Sequence, residues 1–163
     1  MDAPQLPDDF REFLRLLNAH RVEYLLVGGY AVGIHGYPRA TIDLDVWVAA
    51  TPRNAGQLVG ALQEFGFDVP ALEPGLFLNR SSIVRFGTPP FRIEVMTAID
   101  GVEFDACRGN AVDVDLDGLH VPVISLDDLK INKRAAGRHK DLAVRTSTPE
   151  RPATGVAAWT HSS

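Results

Sequence analysis

Several features that would assign this chain to a particular class of protein are scarce or missing. It has one cysteine, so it can form neither an internal disulfide nor a cysteine-based zinc site. Its longest early segment without a charge or a histidine, residues 24–34, has 11 residues, whereas a membrane-spanning helix needs about 20. The first ten residues lack the basic and apolar regions of a secretory signal. We therefore expect a cytoplasmic protein that does not enter a membrane.

The composition is that of a folded domain with an apolar core. Hydrophobic residues make up 45% and charged residues 23% of the chain, which are ordinary globular values and exclude wholesale disorder. A length of 163 residues suits one domain. The final stretch, from residue 146, has no hydrophobic periodicity and holds two prolines. We therefore expect one domain over residues 1–145 and a loose tail over residues 146–163.

Positive charge is concentrated in one short segment, residues 130–140. This segment holds five lysines and arginines and no acid. Because the net charge of the chain is −5, the rest of the chain carries −10. General electrostatic capture of nucleic acid is therefore disfavoured, while a local phosphate site is allowed. The alternative is that the basic residues form a solvated helix face.

Helical and strand-like patterns are interleaved along the chain. Apolar residues spaced three and four apart predict helices over residues 8–20 and 52–65, and a capping box at Ser125 predicts a third that runs to about Ala136. Alternating or branched segments predict strands at residues 24–27, 42–48, 83–86, 92–96, 111–116 and 119–124. Asp117 and Gly118 predict a hairpin turn between the last two. This mixture favours an α/β or α+β domain with a mixed β-sheet flanked by helices.

Two aspartates on one predicted strand are the strongest chemical signal in the sequence. Asp43 and Asp45 alternate with apolar residues, so both side chains project from one face, with Cα atoms about 6.6 Å apart. Two carboxylates about 4 Å apart repel by roughly 4 kcal/mol near a protein surface, and a divalent cation would replace this repulsion with attraction. Mg²⁺ suits such a site because it prefers oxygen ligands and also binds substrate phosphates. The alternative is that both acids lie on a solvated face of the sheet.

Two further features favour a metal-dependent phosphate site. Glu94 is an isolated acid on the predicted strand 92–96, and it would lie beside Asp43 and Asp45 if the two strands were neighbours. Three converging carboxylates can hold the two metal ions of a phosphoryl-transfer site. Gly28 and Gly29 follow a predicted strand, where the absence of side chains lets the backbone approach a phosphate. A strand that ends in two glycines is also common in proteins that bind no phosphate.

In this order along the chain, these elements resemble a known family. The residues that carry the resemblance are Val27-Gly28-Gly29-Tyr30-Ala31, His35-Gly36, Arg39-x-Thr41-x-Asp43-x-Asp45, the stretch from Val123 to Lys133, and Arg138-x-Lys140-Asp141-Leu142. They are similar to the DNA polymerase β-like nucleotidyltransferase superfamily, and more closely to small prokaryotic nucleotidyltransferases related to abortive-infection (AbiEii-type) toxins. The resemblance covers about residues 22–143.

The resemblance implies a palm-like fold and a type of reaction. Such enzymes move a nucleoside monophosphate from a nucleoside triphosphate to a hydroxyl group and release pyrophosphate, with the help of two Mg²⁺ ions. The implied acceptor is RNA, with tRNA as one candidate, or a protein. A toxin–antitoxin role is also implied, in which the chain pairs with a cognate antitoxin or toxin.

The resemblance also implies roles for individual residues. Asp43, Asp45 and Glu94 would be the catalytic, metal-binding acids. The nucleotide would be bound by the glycine turn, the loop before the acidic strand and the basic segment, through Gly28, Gly29, Arg39, Thr41, Lys133, Arg138 and Lys140. Gly29 stands where serine is often found, and Glu94 where aspartate is common. After Ala143 such proteins tend to continue in a helix, whereas here the chain leads into the unpatterned tail. The changed acid at Glu94 and this tail favour an alternative: a catalytically impaired protein of the same fold that binds nucleotide or a partner, or acts as an antitoxin.

Overall fold

A mixed β-sheet with helices against both faces forms the molecule. The computed structural model describes residues 6–37, 41–79, 81–146 and 157–161, and the side chains of residues 138–146 and 157–161 are not part of that description. The elements are, in order, α1 (Asp8–Ala19), β1 (Tyr24–Val27), α2 (Gly28–Ile34), β2 (Asp43–Val48), α3 (Pro52–Phe65), a 3₁₀ turn (Pro74–Phe77), β3 (Ser82–Phe86), β4 (Arg92–Met96), α4 (Phe104–Asn110), β5 (Val112–Leu116), β6 (Leu119–Val123), α5 (Leu126–Thr146) and β7 (Ala157–His161). None of the helices in these segments is long and apolar enough to cross a membrane.

Seven strands build the sheet in the order β5-β6-β1-β2-β4-β3-β7. The pairs β1–β6 and β2–β4 are parallel, and the other neighbours are antiparallel. The expected α/β architecture with a mixed sheet is therefore confirmed, as are all six strands predicted from the sequence. The central position of β2 matters most for function, because β2 carries the aspartate pair.

The two faces of the sheet bury different sets of aromatic side chains. On one face, Phe13 of α1 packs edge-on against Phe86 of β3 and Phe65 of α3, with ring centroids 5.4 and 5.3 Å apart. On the other face, Trp47 of β2 packs edge-on against Phe104 of α4 at 5.2 Å. Trp47 is 1% exposed, so it is a core residue. A nucleotide base cannot stack on its ring, as it could on an exposed tryptophan.

The helix boundaries follow local signals where such signals exist. The Thr51 side chain accepts a hydrogen bond from the Asn54 backbone at 3.2 Å, Pro52 occupies the first turn, and Gly66 ends α3 with a φ of 106°. Ser125 caps α5 by accepting from the backbone of Asp128 at 3.1 Å. The predicted starts of both helices are therefore confirmed, as is the end of α3.

Two parts of the C-terminal region differ from expectation. Helix α5 continues to Thr146 rather than ending near Ala136, because lysine, arginine, alanine and leucine are good helix formers and no proline interrupts them. Within the expected loose tail, residues Ala157–His161 form strand β7, which pairs with β3 over five residues. The sequence of β7, AAWTH, does not alternate apolar with polar residues, so the pattern by which a strand is recognised is absent.

The pairing of β7 with β3 predicts a measurable contribution to stability. Deletion of residues 147–163 would leave the outer backbone groups of β3 without their β7 partners. We expect the shortened chain to fold, with a melting temperature lower by roughly 2–4 °C for each kcal/mol lost. Thermal unfolding followed by circular dichroism is the measurement. An unchanged melting temperature would show that the tail is loose, as the sequence predicts.

Candidate active site

The parallel pairing of β2 with β4 brings the predicted acids to one face of the sheet. In this register Asp45 lies opposite Glu94, and Asp43 lies opposite Arg92. Because side chains alternate along a strand, all four project on the same side. The alternate residues of β2, Leu44, Val46 and Val48, project on the other side, into the core. The condition on which the Glu94 prediction depends, that the two strands be neighbours, is met.

Asp45 interacts directly with the other two acids. Burial, the charge of Glu94, a side-chain hydrogen bond with Glu94 and the charge of Asp43 together raise the pKa of Asp45 to about 7. The ammonium group of Lys133 on α5 acts in the opposite direction and lowers that pKa. The structure thus brings Lys133 and the three predicted acids together. Their roles in metal and nucleotide binding stay predictions.

Gly28 is required by the aspartate beside it. It has a φ of +72°, and a Cβ atom at this position would lie 2.0 Å from Oδ2 of Asp45. Gly29 is similarly confined, since its Cβ would lie 2.9 Å from Oγ1 of Thr41. The sequence suggests that these glycines make room for a phosphate. In the structure they also make room for the side chains of the loop and strand that follow.

Thr41 organises the start of β2. Its Oγ1 donates a hydrogen bond to the backbone oxygen of Asp43 at 3.1 Å and accepts one from the Asp43 backbone at 3.2 Å. Arg39, which is predicted to act with it, lies outside the described residues. Arg138 and Lys140 lie on the last turns of α5, where only the backbone is described.

Two arginines that the sequence does not single out lie among the acids. Arg85 of β3 is the direct cross-strand neighbour of Glu94, and its Nε donates to Oε2 of Glu94. Arg92 bridges two acids at longer range, with Nε 4.0 Å from Oδ1 of Asp43 and Nη1 3.9 Å from Oε2 of Glu94. Their positions in the sequence were the signal that could have found them. Arg85 is the one charged residue of β3, and Arg92 lies two residues before Glu94 on β4, so both project from the same face.

The two aspartates of β2 offer oxygen ligands of the kind that a magnesium ion prefers. Oδ1 of Asp43 is buried and has no hydrogen-bond partner, and carboxylate oxygens are the ligands that Mg²⁺ prefers. Among the described residues, however, no group of three or more histidine, cysteine, aspartate or glutamate side chains is arranged to hold a metal ion. Glu94 is paired with Arg85 and also hydrogen-bonded to Asp45. The chemistry of their oxygen donors suits a metal ion at Asp43 and Asp45, and metal binding there stays a prediction.

Comparison with known proteins supports the fold. No protein-family model matches the chain, and no curated protein matches it. Among solved structures, the chain is similar to a proposed nucleotidyltransferase from Thermotoga maritima, with a TM-score of 0.56 and 17% sequence identity. The match covers 84% of this chain and 88% of the other. The expected palm-like fold is therefore confirmed, and at this identity the likeness concerns the fold alone.

The raised pKa of Asp45 predicts a pH-dependent loss of stability without metal. The unfolded aspartate ionises near its ordinary value of 3.8, whereas the folded one ionises at about 7. The folded state therefore loses stability as the pH rises between these values, and the loss is complete above them. Asp45→Asn carries no charge at any pH, so it should raise the melting temperature of the metal-free protein at pH 8 and change it little at pH 4. Asp68→Asn, at an exposed position, is the control. Equal gains at the two pH values would contradict this account.

The confinement of Gly28 predicts a strongly destabilising substitution. Gly28→Ala would place a methyl group against the Asp45 carboxylate and impose a left-handed backbone on alanine. We expect a loss of roughly 1–3 kcal/mol, measured by urea unfolding. Gly56→Ala is the matched control, because nothing lies within 4 Å of its added methyl group, and in helix α3 it should stabilise by up to about 1 kcal/mol. A second substitution, Asp45→Ala, should recover part of the Gly28→Ala loss. No recovery would assign the loss to backbone strain alone.

Proposed function

We propose that this protein is a magnesium-dependent nucleotidyltransferase that moves a nucleoside monophosphate from a nucleoside triphosphate to a hydroxyl group. The observation that carries the proposal is the aspartate pair on β2 with Glu94 beside it on β4, within a fold shared with a proposed nucleotidyltransferase. Oδ1 of Asp43 adds support, since it is buried, accepts no hydrogen bond and faces Arg92 only at 4.0 Å.

In this reaction the acceptor oxygen forms a bond to the α-phosphorus, its proton is lost, and pyrophosphate leaves. A bound divalent ion would stabilise the charge on the phosphoryl oxygens and make the acceptor hydroxyl easier to ionise. Asp43 and Asp45 would hold this ion, with a second ion as the resemblance implies. Gly28 and Gly29 would allow the triphosphate close to the backbone. Lys133, whose charge already acts on Asp45, would face the phosphates.

The acceptor we propose is RNA, with tRNA as one candidate, or a protein. This part of the proposal, like the toxin–antitoxin role with a cognate partner, is supported by the sequence resemblance alone. An acidic chain with one basic segment suits an acceptor that is recognised locally rather than by broad electrostatic attraction.

A second candidate function is favoured by one specific observation. Glu94 is paired with Arg85, so the third acid is not free to act as metal ligand or base while that pair lasts. A catalytically impaired protein of the same fold, acting as a nucleotide-binding module or an antitoxin, would tolerate such a pair permanently. The two candidates differ in product formation, since both would bind a triphosphate with a divalent ion.

The test is to incubate the protein with each of the four α-labelled nucleoside triphosphates, Mg²⁺, total cellular RNA and total cellular protein. Transfer of label to either pool, and its loss in Asp43→Asn and Asp45→Asn, is the expected result. Binding of triphosphate without labelled product would favour the second candidate. Growth arrest on expression of the protein alone would distinguish a toxin from an antitoxin.

The position of Lys133 predicts a difference between two neighbouring lysines. Lys130 and Lys133 lie three residues apart on α5, but only Lys133 contributes to the electrostatics of Asp45. Lys133→Ala should weaken triphosphate binding by roughly 1–3 kcal/mol, the scale of a charge-assisted hydrogen bond. Lys130→Ala should have a smaller effect. Titration of both variants with a triphosphate at fixed Mg²⁺ and salt is the measurement. Unchanged affinity in both would make the basic segment a solvated face.

A further inference from the structure

Of the described ion pairs that involve Asp43, Asp45 or Glu94, the pair formed by Arg85 and Glu94 is the most enclosed. The two residues face each other directly across the antiparallel strands β3 and β4. Their side chains are 27% and 16% exposed, whereas Arg92, the other arginine of the site, is 51% exposed. The Glu94 oxygen that accepts from Arg85 also lies 3.9 Å from Arg92. One carboxylate oxygen therefore faces two guanidinium groups.

Among the side chains that the structure describes, charge at this face of the sheet is close to balanced. Three acids, Asp43, Asp45 and Glu94, lie within the electrostatic reach of three cationic side chains, Arg85, Arg92 and Lys133. A bare divalent cation that approaches this face meets little net attraction and is repelled by the arginines. A divalent cation that carries a triphosphate brings both signs of charge: the cation suits the aspartates, and the phosphates suit the basic side chains.

We propose that Arg85, by holding Glu94, makes the binding of the divalent ion depend on the binding of the triphosphate. Glu94 is then withheld from a lone ion, and the ion and the nucleotide enter the site together. Arg85 is a positioning residue here, since it acts through Glu94. This inference rests on the proposed function, because it assumes that the site takes a divalent ion and a triphosphate.

Two linked measurements follow from this coupling. Thermodynamic linkage requires that the nucleotide raises the affinity for the ion by the same factor by which the ion raises the affinity for the nucleotide. The first measurement is the affinity for Mn²⁺ alone, by electron paramagnetic resonance of the free ion. The second is the affinity for an α,β-methylene triphosphate analogue in the presence of Mn²⁺, divided by its affinity when a chelator has removed the Mn²⁺. Chelation of Mn²⁺ by the analogue in solution is the same for every variant, so it cancels when variants are compared.

Loss of the arginine should uncouple the two ligands. In Arg85→Gln we expect Mn²⁺ alone to bind more tightly by roughly 5- to 150-fold, the usual range of coupling between sites, and the ratio for the analogue to fall accordingly. Arg85→Lys keeps the positive charge beside Glu94 and should behave as the unmodified protein does. Arg85→Met keeps the apolar stem and takes the place of the glutamine variant if that variant does not fold.

A matched control and a double substitution separate this role from a general effect of charge. Arg15→Gln removes an arginine that pairs with Glu12 on the surface of α1 at 2.7 Å, and it should leave both measurements unchanged. In a Glu94→Gln background there is no carboxylate to release, so Arg85→Gln should tighten Mn²⁺ binding much less. The proposal is overturned if the tightening is equal in both backgrounds, or if Arg85→Gln binds Mn²⁺ no more tightly than the unmodified protein.

The same data distinguish failure of this inference from failure of the proposed function. If the unmodified protein binds the analogue with Mn²⁺ but Arg85→Gln changes neither measurement, the inference is wrong and the proposed function stands. If neither Mn²⁺ nor any of the four methylene analogues binds to any variant, both are wrong. Tightening in Arg85→Gln that Glu94→Gln suppresses supports both.

Discussion

The parallel pairing of β2 with β4 is the interaction on which the candidate site depends. It places Asp45 beside Glu94 and directs the alternate residues Leu44, Val46, Ile93 and Val95 into the core, where they are at most 1% exposed. Burial of each such side chain is worth about 1.5–3 kcal/mol. Together they exceed the roughly 4 kcal/mol by which two close carboxylates repel near a protein surface. A shift of one residue would turn the acids into the apolar core and these four residues toward the face of the acids, so core packing holds the acids together.

The backbone around the aspartates is shaped by close contact. The left-handed Gly28 lies against the Asp45 carboxylate, and Gly29 lies against Thr41, which in turn holds the backbone of Asp43. The glycine turn, the loop and the acidic strand therefore form one packed unit. A substitution in any of the three would therefore move an aspartate, whether or not the substituted residue itself contacts a ligand.

Arginines limit what the acids can do before a substrate arrives. Arg85 holds Glu94 from a neighbouring strand, and Arg92 lies about 4 Å from both Asp43 and Glu94. Repulsion among the carboxylates is thereby offset in part within the protein itself, although the charges of Glu94 and Asp43 still raise the pKa of Asp45. The pair with Arg85 also engages the Glu94 carboxylate, so Glu94 is a less available ligand than its position suggests.

The sequence by itself determined the local features of this protein. Alternation on β2 was enough to place Asp43 and Asp45 on one face, capping signals located the start of α5 and both ends of α3, and the Asp117-Gly118 pair predicted the β5–β6 hairpin. Each of these depends on residues a few positions apart. Only the tertiary structure decided that Glu94 is the neighbour of Asp45, that Arg85 holds Glu94, that Gly28 is confined by Asp45 and that β7 joins the edge of the sheet. These contacts depend on which strands pair and in which register. The pairing and register of the strands are determined by the apolar area buried over the whole core. No single segment of the sequence therefore contains a pattern that predicts them.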